Sequence, residues 1–229
     1  MSIKKLILKI SSALLIAVIA VGFAFCTNGD EKVVDEGIIE YDLKPVNPNH
    51  PLAGFAPTSA VLKFKHDKFI MEMSIMGMFN TMFIADPNKK TLTQMVKFLD
   101  LKQACIENEK DILEENASYK LTIVETKETK MIAGYKCKKI KVTMASDPKM
   151  VFEAFYTKDI GVENANALSP YASVKGMLMQ YRLQKMGLEL EFTAKTVKKA
   201  EVPDATFEIP AYFKIVSKEE MKKYFDSLQ

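Results

Sequence analysis

The side chains in this sequence whose type and spacing could bind a metal are methionines. Five of the fourteen lie in one stretch, 68–84: Met71, Met73, Met76, Met78 and Met82. Thioether sulfurs are soft ligands that suit Cu(I). Phenylalanine and isoleucine share the same faces, however, and flexible, polarizable methionine also fits irregular apolar walls. We therefore expect an apolar wall here and no metal site, with a copper site as the alternative.

Residues for catalysis are sparse. His50 and His66 are the only histidines, and no third ligand stands at metal spacing from them. Glu189 and Glu191 share one face of a predicted strand whose other face is apolar, which is typical of a solvated outer face. The sequence contains no nucleophile elbow, no P-loop and no Rossmann glycine pattern. We expect neither catalysis nor a cofactor.

The cysteines leave two interpretations open. Cys105 and Cys137 could form a disulfide in an oxidising compartment, or both could be buried, unpaired thiols that act as small hydrophobic residues. The sequence contains no C-x-x-C pair. Neither a thioredoxin-type redox site nor a zinc ribbon is therefore indicated.

The first 25 residues have the pattern of a signal peptide. Lys4, Lys5 and Lys9 precede the apolar run 10–25, and Cys26 then begins a polar tether, 26–35. This arrangement resembles a bacterial lipoprotein signal, which implies a lipid on Cys26 and an outer-membrane lipoprotein facing the periplasm or the cell surface. Phe25 stands where that signal has a small residue. Cleavage after Ala20 or Ala24, or an uncleaved membrane span, remain alternatives, and all three place the body outside the cytoplasm.

The charge of the predicted mature body is balanced. Three of the 32 Lys and Arg residues precede Cys26 and no acidic residue does, so 29 basic and 29 acidic residues remain. A neutral body lacks the basic face that nucleic acid requires. About 200 residues are enough for one well-buried domain, and we expect a monomeric domain over 36–229.

Hydrophobic alternation along the chain predicts strands. Phe69, Met71, Met73 and Ile75 alternate with polar residues, which indicates one buried face, whereas both faces are apolar after Gly77. A strand with two apolar faces lies in a core or faces a cavity. Similar alternation gives roughly nine strands, including those at 36–44, 59–66, 91–98, 119–126, 136–144, 150–157, 177–184 and 188–194.

Two helices are predicted between and after these strands. Apolar spacing over 100–116 indicates one, with Asp100 as its N-cap. The capping box Ser217–Glu220 precedes an apolar stripe of Met221, Tyr224, Phe225 and Leu228, which indicates the other. The pattern favours a mainly β protein with a curved antiparallel sheet, or unclosed β-barrel, plugged by helices. The candidates for a hydrophobic cavity are Phe64, Phe69, Met71, Met73, Met179, Tyr181, Leu190 and Phe192.

Three segments carry a resemblance to a known family. They are 125–139 (ETKETKMIAGYKCKK), the strand end Phe155-Tyr156-Thr157, and 202–210 (VPDATFEIP). Together they resemble an uncharacterised family of Gram-negative envelope proteins over most of 37–212. That family is similar in fold to the LolA/LolB lipoprotein carriers, whose unclosed barrel has an apolar interior.

This resemblance implies a LolA-like fold and a hydrophobic class of ligand, and it does not imply that the chain carries lipoproteins. Together with the signal pattern and the absence of catalytic motifs, it leads us to expect an exported lipoprotein that binds lipid or another hydrophobic ligand without catalysis. The alternative is a structural or protein-interaction module of the cell envelope with a filled core. The lipid-binding interpretation implies two partners: the membrane, through the lipid anchor, and a lipid or acyl ligand. Carriers of this group use a lid-regulating arginine, and Arg182, the only arginine here, has no matching motif.

Overall fold

One sheet of twelve strands, antiparallel except for one edge pair, makes up most of the residues that the structure describes. The computed structural model describes residues 34–185 and 187–226; the predicted signal peptide, Cys26 and most of the predicted tether lie outside them. The strands are β1 (Glu36–Pro45), β2 (Ser59–Lys65), β3 (Lys68–Ile75), β4 (Phe79–Asp86), β5 (Thr91–Phe98), β6 (Leu101–Glu107), β7 (Leu121–Ile132), β8 (Tyr135–Met144), β9 (Val151–Thr157), β10 (Met177–Lys185), β11 (Leu188–Lys199) and β12 (Lys214–Ile215).

The sheet consists of two meanders joined side by side. In space the strands follow the order β12, β6, β5, β4, β3, β2, β1, β11, β10, β9, β8, β7, so the pairing of β1 with β11 joins the two halves. All pairs are antiparallel except β12 with β6. The strands β7 and β12 end the order without pairing to each other. This confirms the predicted mainly β fold with a curved, unclosed antiparallel sheet.

The methionine-rich stretch 68–84 is a hairpin. Strand β3 ends at Ile75 and β4 begins at Phe79, with Met76 and Gly77 in the left-handed region at φ 53° and 72°. Met71 pairs with Phe83 on the concave face of the sheet, whereas Ile70 pairs with Ile84 on the opposite, outer face. Both faces are buried here, which explains the double apolar pattern of the sequence.

The segment after β11 covers the outer face of β3–β6. Phe207, Ile209 and Phe213 pack against a buried cluster on that face, whose members are Ile70, Ile84, Met95 and Ala104. Lys65 and Asp204 fasten the start of this segment to β2 through an ion pair of 2.9 Å. The chain then adds β12 beside β6. Val34 of the predicted tether forms a bridge with Ile160.

The first helix, α1 (Glu109–Ser118), corrects the predicted helix over 100–116. Leu101–Glu107 is strand β6, and Asn108, not Asp100, caps the helix by accepting from the amides of Lys110 and Asp111. Ala104 is buried on the outer face and Cys105 on the concave face. Two adjacent buried residues gave the sequence a helix-like spacing, although pairing with β5 and β12 makes the segment a strand.

The second helix, α2 (Lys218–Asp226), confirms the predicted C-terminal helix. Ser217 Oγ accepts from the amide of Glu220 at 3.1 Å. Met221 packs with Val96, Cys105 and Val216 on the concave face. Leu228 of the predicted stripe lies outside the described residues. Among the helices of 34–185 and 187–226, none has the length and apolar character needed to cross a membrane.

Candidate functional site

A cavity of about 520 Å³ lies on the concave face of the sheet. Its floor comes from residues of seven strands, among them Leu62 of β2, Met71 of β3 and Phe83 of β4. Its roof comes from the last turn of α1 and from the loop 165–171. Strand alternation places these side chains, since every second residue of each strand points to this face. The lining is apolar apart from a few amides, hydroxyls and Glu115.

Four aromatic rings form a packed group at the floor. Tyr181 of β10 stacks on Phe192 of β11, and Tyr41 meets both rings edge-on at centroid distances of 6.1 and 6.2 Å. Tyr171 meets Tyr181 edge-on at 5.9 Å. Stacked and edge-to-face rings at these distances attract one another. The group therefore holds each ring in one orientation.

Three tyrosine hydroxyls in or beside this cavity donate to the protein itself. Tyr41 donates to the Leu178 carbonyl at 2.8 Å, Tyr171 to the Arg182 carbonyl at 2.7 Å, and Tyr119 to Glu189 Oε1 at 2.8 Å. Burial raises the pKa of all three phenols above the usual range. They remain neutral donors at physiological pH. Glu189, expected on a solvated face, is thus half-buried and anchors Tyr119.

The roof loop is held by amide side chains. Asn166 Nδ2 donates to the carbonyls of Val174 and Gly176 at 2.9 and 2.8 Å. Asn116 Nδ2 of α1 donates to the Leu168 carbonyl at 3.3 Å. Asn164 binds Asp67 in the β2–β3 turn through its backbone amide and its side chain. These bonds fix the roof between α1 and the sheet.

A second cavity of about 670 Å³ continues along the concave face. It shares Met73, Glu115 and Gly187 with the first cavity, and α2 covers one side of it through Met221 and Lys218. Its mouth is apolar: Phe55, Met76 and Met78 are 62%, 75% and 57% exposed. The two cavities together form an apolar trough (residues lining either cavity) with one exposed hydrophobic end.

One lysine joins the two helices beside this trough. Lys218 Nζ lies 3.3 Å from Glu107 Oε2, 3.6 Å from Glu115 Oε2 and 3.5 Å from the Asp111 carbonyl. Glu107 is only 4% exposed. A buried carboxylate needs such a partner, because an uncompensated charge there is costly. Lys218 therefore secures α2 against α1 and β6.

Most of the predicted cavity residues line the trough. Phe69, Met71, Met73, Tyr181 and Phe192 line the first cavity, and Met73 and Leu190 line the second. Phe64 and Met179 are fully buried in the main core and line neither. The sequence did not identify Tyr119, Tyr171 or the end of α1 as cavity residues. Tyr41 could have been found, because it lies on the apolar face of the first predicted strand.

The five clustered methionines do not converge. Met71 and Met73 face the concave side, Met82 packs on the outer face, and Met76 and Met78 are exposed at the hairpin tip. The described ranges also contain no group of three His, Cys, Asp or Glu residues that could hold a metal ion.

The possible disulfide is absent. Cys105 and Cys137 are both free and buried. Cys105 belongs to the cluster beneath α2, whereas Cys137 belongs to the main core near Ile132 and Tyr135. The second interpretation of the sequence, two buried thiols that act as small hydrophobic residues, describes them correctly.

Comparison with known proteins gives a fold and no function. No protein-family model matches the chain, and no curated protein matches it. A solved structure described as PNGF-II in the C2 space group is similar, with a TM-score of 0.51 and 16% sequence identity. The match covers 83% of this chain and 32% of that one, so this chain spans about a third of its length. At this identity the likeness concerns the fold alone.

Proposed function

We propose that this protein is a cell-envelope lipoprotein, anchored through Cys26, that binds a lipid or another hydrophobic ligand on the concave face of a LolA/LolB-like sheet. It acts by binding, without a catalytic step. The observation that carries the proposal is the apolar trough: two adjoining cavities of about 520 and 670 Å³ that share Met73. Ligand sites of this kind are concave, largely apolar and of several hundred Å³.

Three features of the trough support a hydrophobic ligand. The aromatic group of Tyr41, Tyr181 and Phe192 provides a preformed floor, so little order has to be imposed on binding. Flexible methionine side chains at Met71 and Met73 adapt to a chain of variable shape. The exposed rim of Phe55, Met76 and Met78 gives an apolar ligand a route from a membrane into the trough.

Native mass spectrometry of the full chain, purified from membranes in mild detergent, tests the proposal. We expect an added mass that organic solvent extracts and that lipid analysis identifies. A protein that is consistently free of ligand would favour the alternative, a structural or protein-interaction module of the cell envelope.

A matched pair of variants locates the site. Ala85 is buried and lines the first cavity, so Ala85→Phe places a ring in the empty volume. Val124 on β7 is 56% exposed and lines neither cavity, so Val124→Phe is the control. We expect Ala85→Phe to lose the added mass and Val124→Phe to retain it, with circular dichroism showing that both are folded.

A further inference from the structure

Tyr181 differs from the other tyrosines of the first cavity. Tyr41, Tyr119 and Tyr171 each donate their hydroxyl to a protein acceptor. The hydroxyl of Tyr181 makes no hydrogen bond with any residue that the structure describes, although the residue is only 6% exposed and lines the cavity. Its position on β10 directs it to the concave face, as for its neighbour Phe192 on β11.

The Tyr181 hydroxyl is open to the cavity. The buried side-chain atoms without a partner in the described residues are Thr81 Oγ1, Gln103 Oε1 and Arg182 Nε, and the Tyr181 hydroxyl is not one of them. A donor that faces an apolar cavity without a protein partner is available to a ligand, since polar groups removed from water are normally paired. The ring of Tyr181 cannot turn to find a partner, because Phe192, Tyr41 and Tyr171 pack against it. Burial also keeps its pKa well above the usual range, so the phenol stays protonated and presents a donor.

We propose that the Tyr181 hydroxyl donates a hydrogen bond to an uncharged carbonyl oxygen of the ligand, as found in an acyl ester. This inference rests on the proposed function, since it names the class of hydrophobic ligand that the trough accepts. A phenol donor and a carbonyl acceptor form a complete pair without leaving a further polar group unsatisfied.

The charges around the cavity favour an uncharged ligand group. Among the described residues that line the first cavity, Glu115 is the only charged one, and no Lys, Arg or His lines it. Lys218 and Lys222 line the second cavity, and Lys218 is already paired with Glu107 and Glu115. A ligand carboxylate at Tyr181 would therefore meet no cation among the described residues that line the first cavity. Burying a charge without a partner costs far more than burying a neutral carbonyl that is hydrogen-bonded. An ester therefore fits better than a free fatty acid.

The acyl chain of such a ligand has a path away from Tyr181. The cavity floor continues through Met71 to Met73, which also lines the second cavity. The carbonyl would lie at Tyr181 and the chain would extend toward the apolar mouth. Recognition would thus combine one hydrogen bond with contact along the trough.

Displacement of the neutral fluorophore N-phenyl-1-naphthylamine from the full chain tests the inference. The competitors are methyl laurate, laurate and dodecane. The variants are Tyr181→Phe and Tyr41→Phe. Tyr41 is the matched control, because it lines the same cavity but its hydroxyl is already bonded to Leu178. We expect Tyr181→Phe to weaken the binding of methyl laurate about threefold to tenfold, which corresponds to one neutral hydrogen bond. The binding of dodecane should be unchanged.

The possible results separate the inference from the proposed function. In the wild type, methyl laurate should compete better than laurate, and Tyr41→Phe should preserve the ratio between methyl laurate and dodecane. If Tyr181→Phe lowers the affinities for methyl laurate and dodecane equally, or lowers neither, the role of Tyr181 is overturned while hydrophobic binding is left intact. Failure of the wild type to bind the fluorophore or any competitor would overturn the proposed function itself.

Discussion

Tyr181 and Phe192 face each other directly across the β10–β11 pair, with ring centroids 4.8 Å apart and ring planes 9° from parallel. The stack joins two neighbouring strands at the centre of the concave face. Tyr41 of β1 adds an edge-on contact to both rings, so three adjacent strands are tied together. This group forms the cavity floor and also contributes to the stability of the sheet where its two halves join.

Removing Phe192 should destabilise the protein strongly. The residue is 1% exposed, and we expect Phe192→Ala to lower the free energy of unfolding by about 3–5 kcal/mol, because it leaves a cavity and removes two ring contacts. Phe192→Leu should cost less. Urea unfolding followed by circular dichroism measures both, with the exposed-site variant Val124→Ala as control. A loss below about 1 kcal/mol for Phe192→Ala would contradict the packing described here.

The N-cap of α1 should matter measurably for stability. Asn108 accepts from two backbone amides, and Asp111 Oδ2 accepts from the Asn108 amide in return. We expect Asn108→Ala to lower stability by about 1 kcal/mol. Glu114→Gln removes only an exposed ion pair of 3.9 Å with Lys110. It should lower stability by a few tenths of a kcal/mol at most. Equal effects of the two changes would show that the cap is not formed.

Both buried cysteines should resist thiol reagents in the folded protein. Burial raises the pKa of Cys137 to about 11 and also raises the pKa of Cys105, so little thiolate exists at pH 8 and access is blocked. In a Cys26→Ser variant, Ellman's reagent should react slowly with the native chain and titrate two thiols in guanidinium chloride. If no thiols react after denaturation without reductant, Cys105 and Cys137 form a disulfide after all.

The contact between β2 and the C-terminal segment should depend on pH. The hydrogen bond and charge of Lys65 hold the pKa of Asp204 below its ordinary value of 3.8. A carboxyl whose pKa is lower in the folded state stabilises the protein above its unfolded pKa, and this contribution disappears as the pH falls through the folded value. Asp204→Asn should therefore reduce stability at pH 7, and the difference from wild type should vanish near pH 2.

Thermal unfolding at a series of pH values measures this difference, with Asp100→Asn as an exposed control. The pKa of Lys65 is raised by the same hydrogen bond, so its contribution is retained below pH 10 and is lost only in strong alkali. A difference between wild type and Asp204→Asn that stays constant from pH 7 to pH 2 would rule out the ion pair.

Removing the ligand should lower the melting temperature. If lipid occupies the trough at about 100 times its dissociation constant, it contributes roughly 2.7 kcal/mol to the folded state. Removing the bound lipid with a hydrophobic resin should therefore lower the melting temperature of the protein, and adding the extracted lipid back should restore it. In Ala85→Phe, whose added ring obstructs the first cavity, the same treatment should change the melting temperature little.

Alternation of side chains predicted the strands well, because one buried face leaves a clear period of two. It placed Tyr181 and Phe192 on cavity-facing positions and identified the two strands that carry them. It failed at 101–107, where Ala104 and Cys105 are buried on opposite faces and the period disappears. The alternation pattern also suggested one continuous apolar wall over 68–84, whereas Met76 and Gly77 turn the chain there.

Features that depend on distant segments could not be predicted. Ile70 and Ile84 are buried only because Phe207, Ile209 and Phe213 return from the C-terminus to cover them. The roof residue Tyr171 reaches the cavity through a loop whose position depends on Asn166 and on Asn164 binding Asp67. The contact between Asn164 and Asp67 joins residues 97 positions apart, and no local sequence pattern indicates it.

Strands β3 and β4 carry hydrophobic contacts on both sides, with the trough on one side and the C-terminal segment on the other. They serve as a partition one sheet thick. A chain cut before residue 202 would expose Ile70, Ile84 and Met95 to water. It would also destabilise the two strands that a ligand in the trough contacts. Residues after 201, about an eighth of the polypeptide, therefore help to keep the shape of the trough on the opposite side of the sheet.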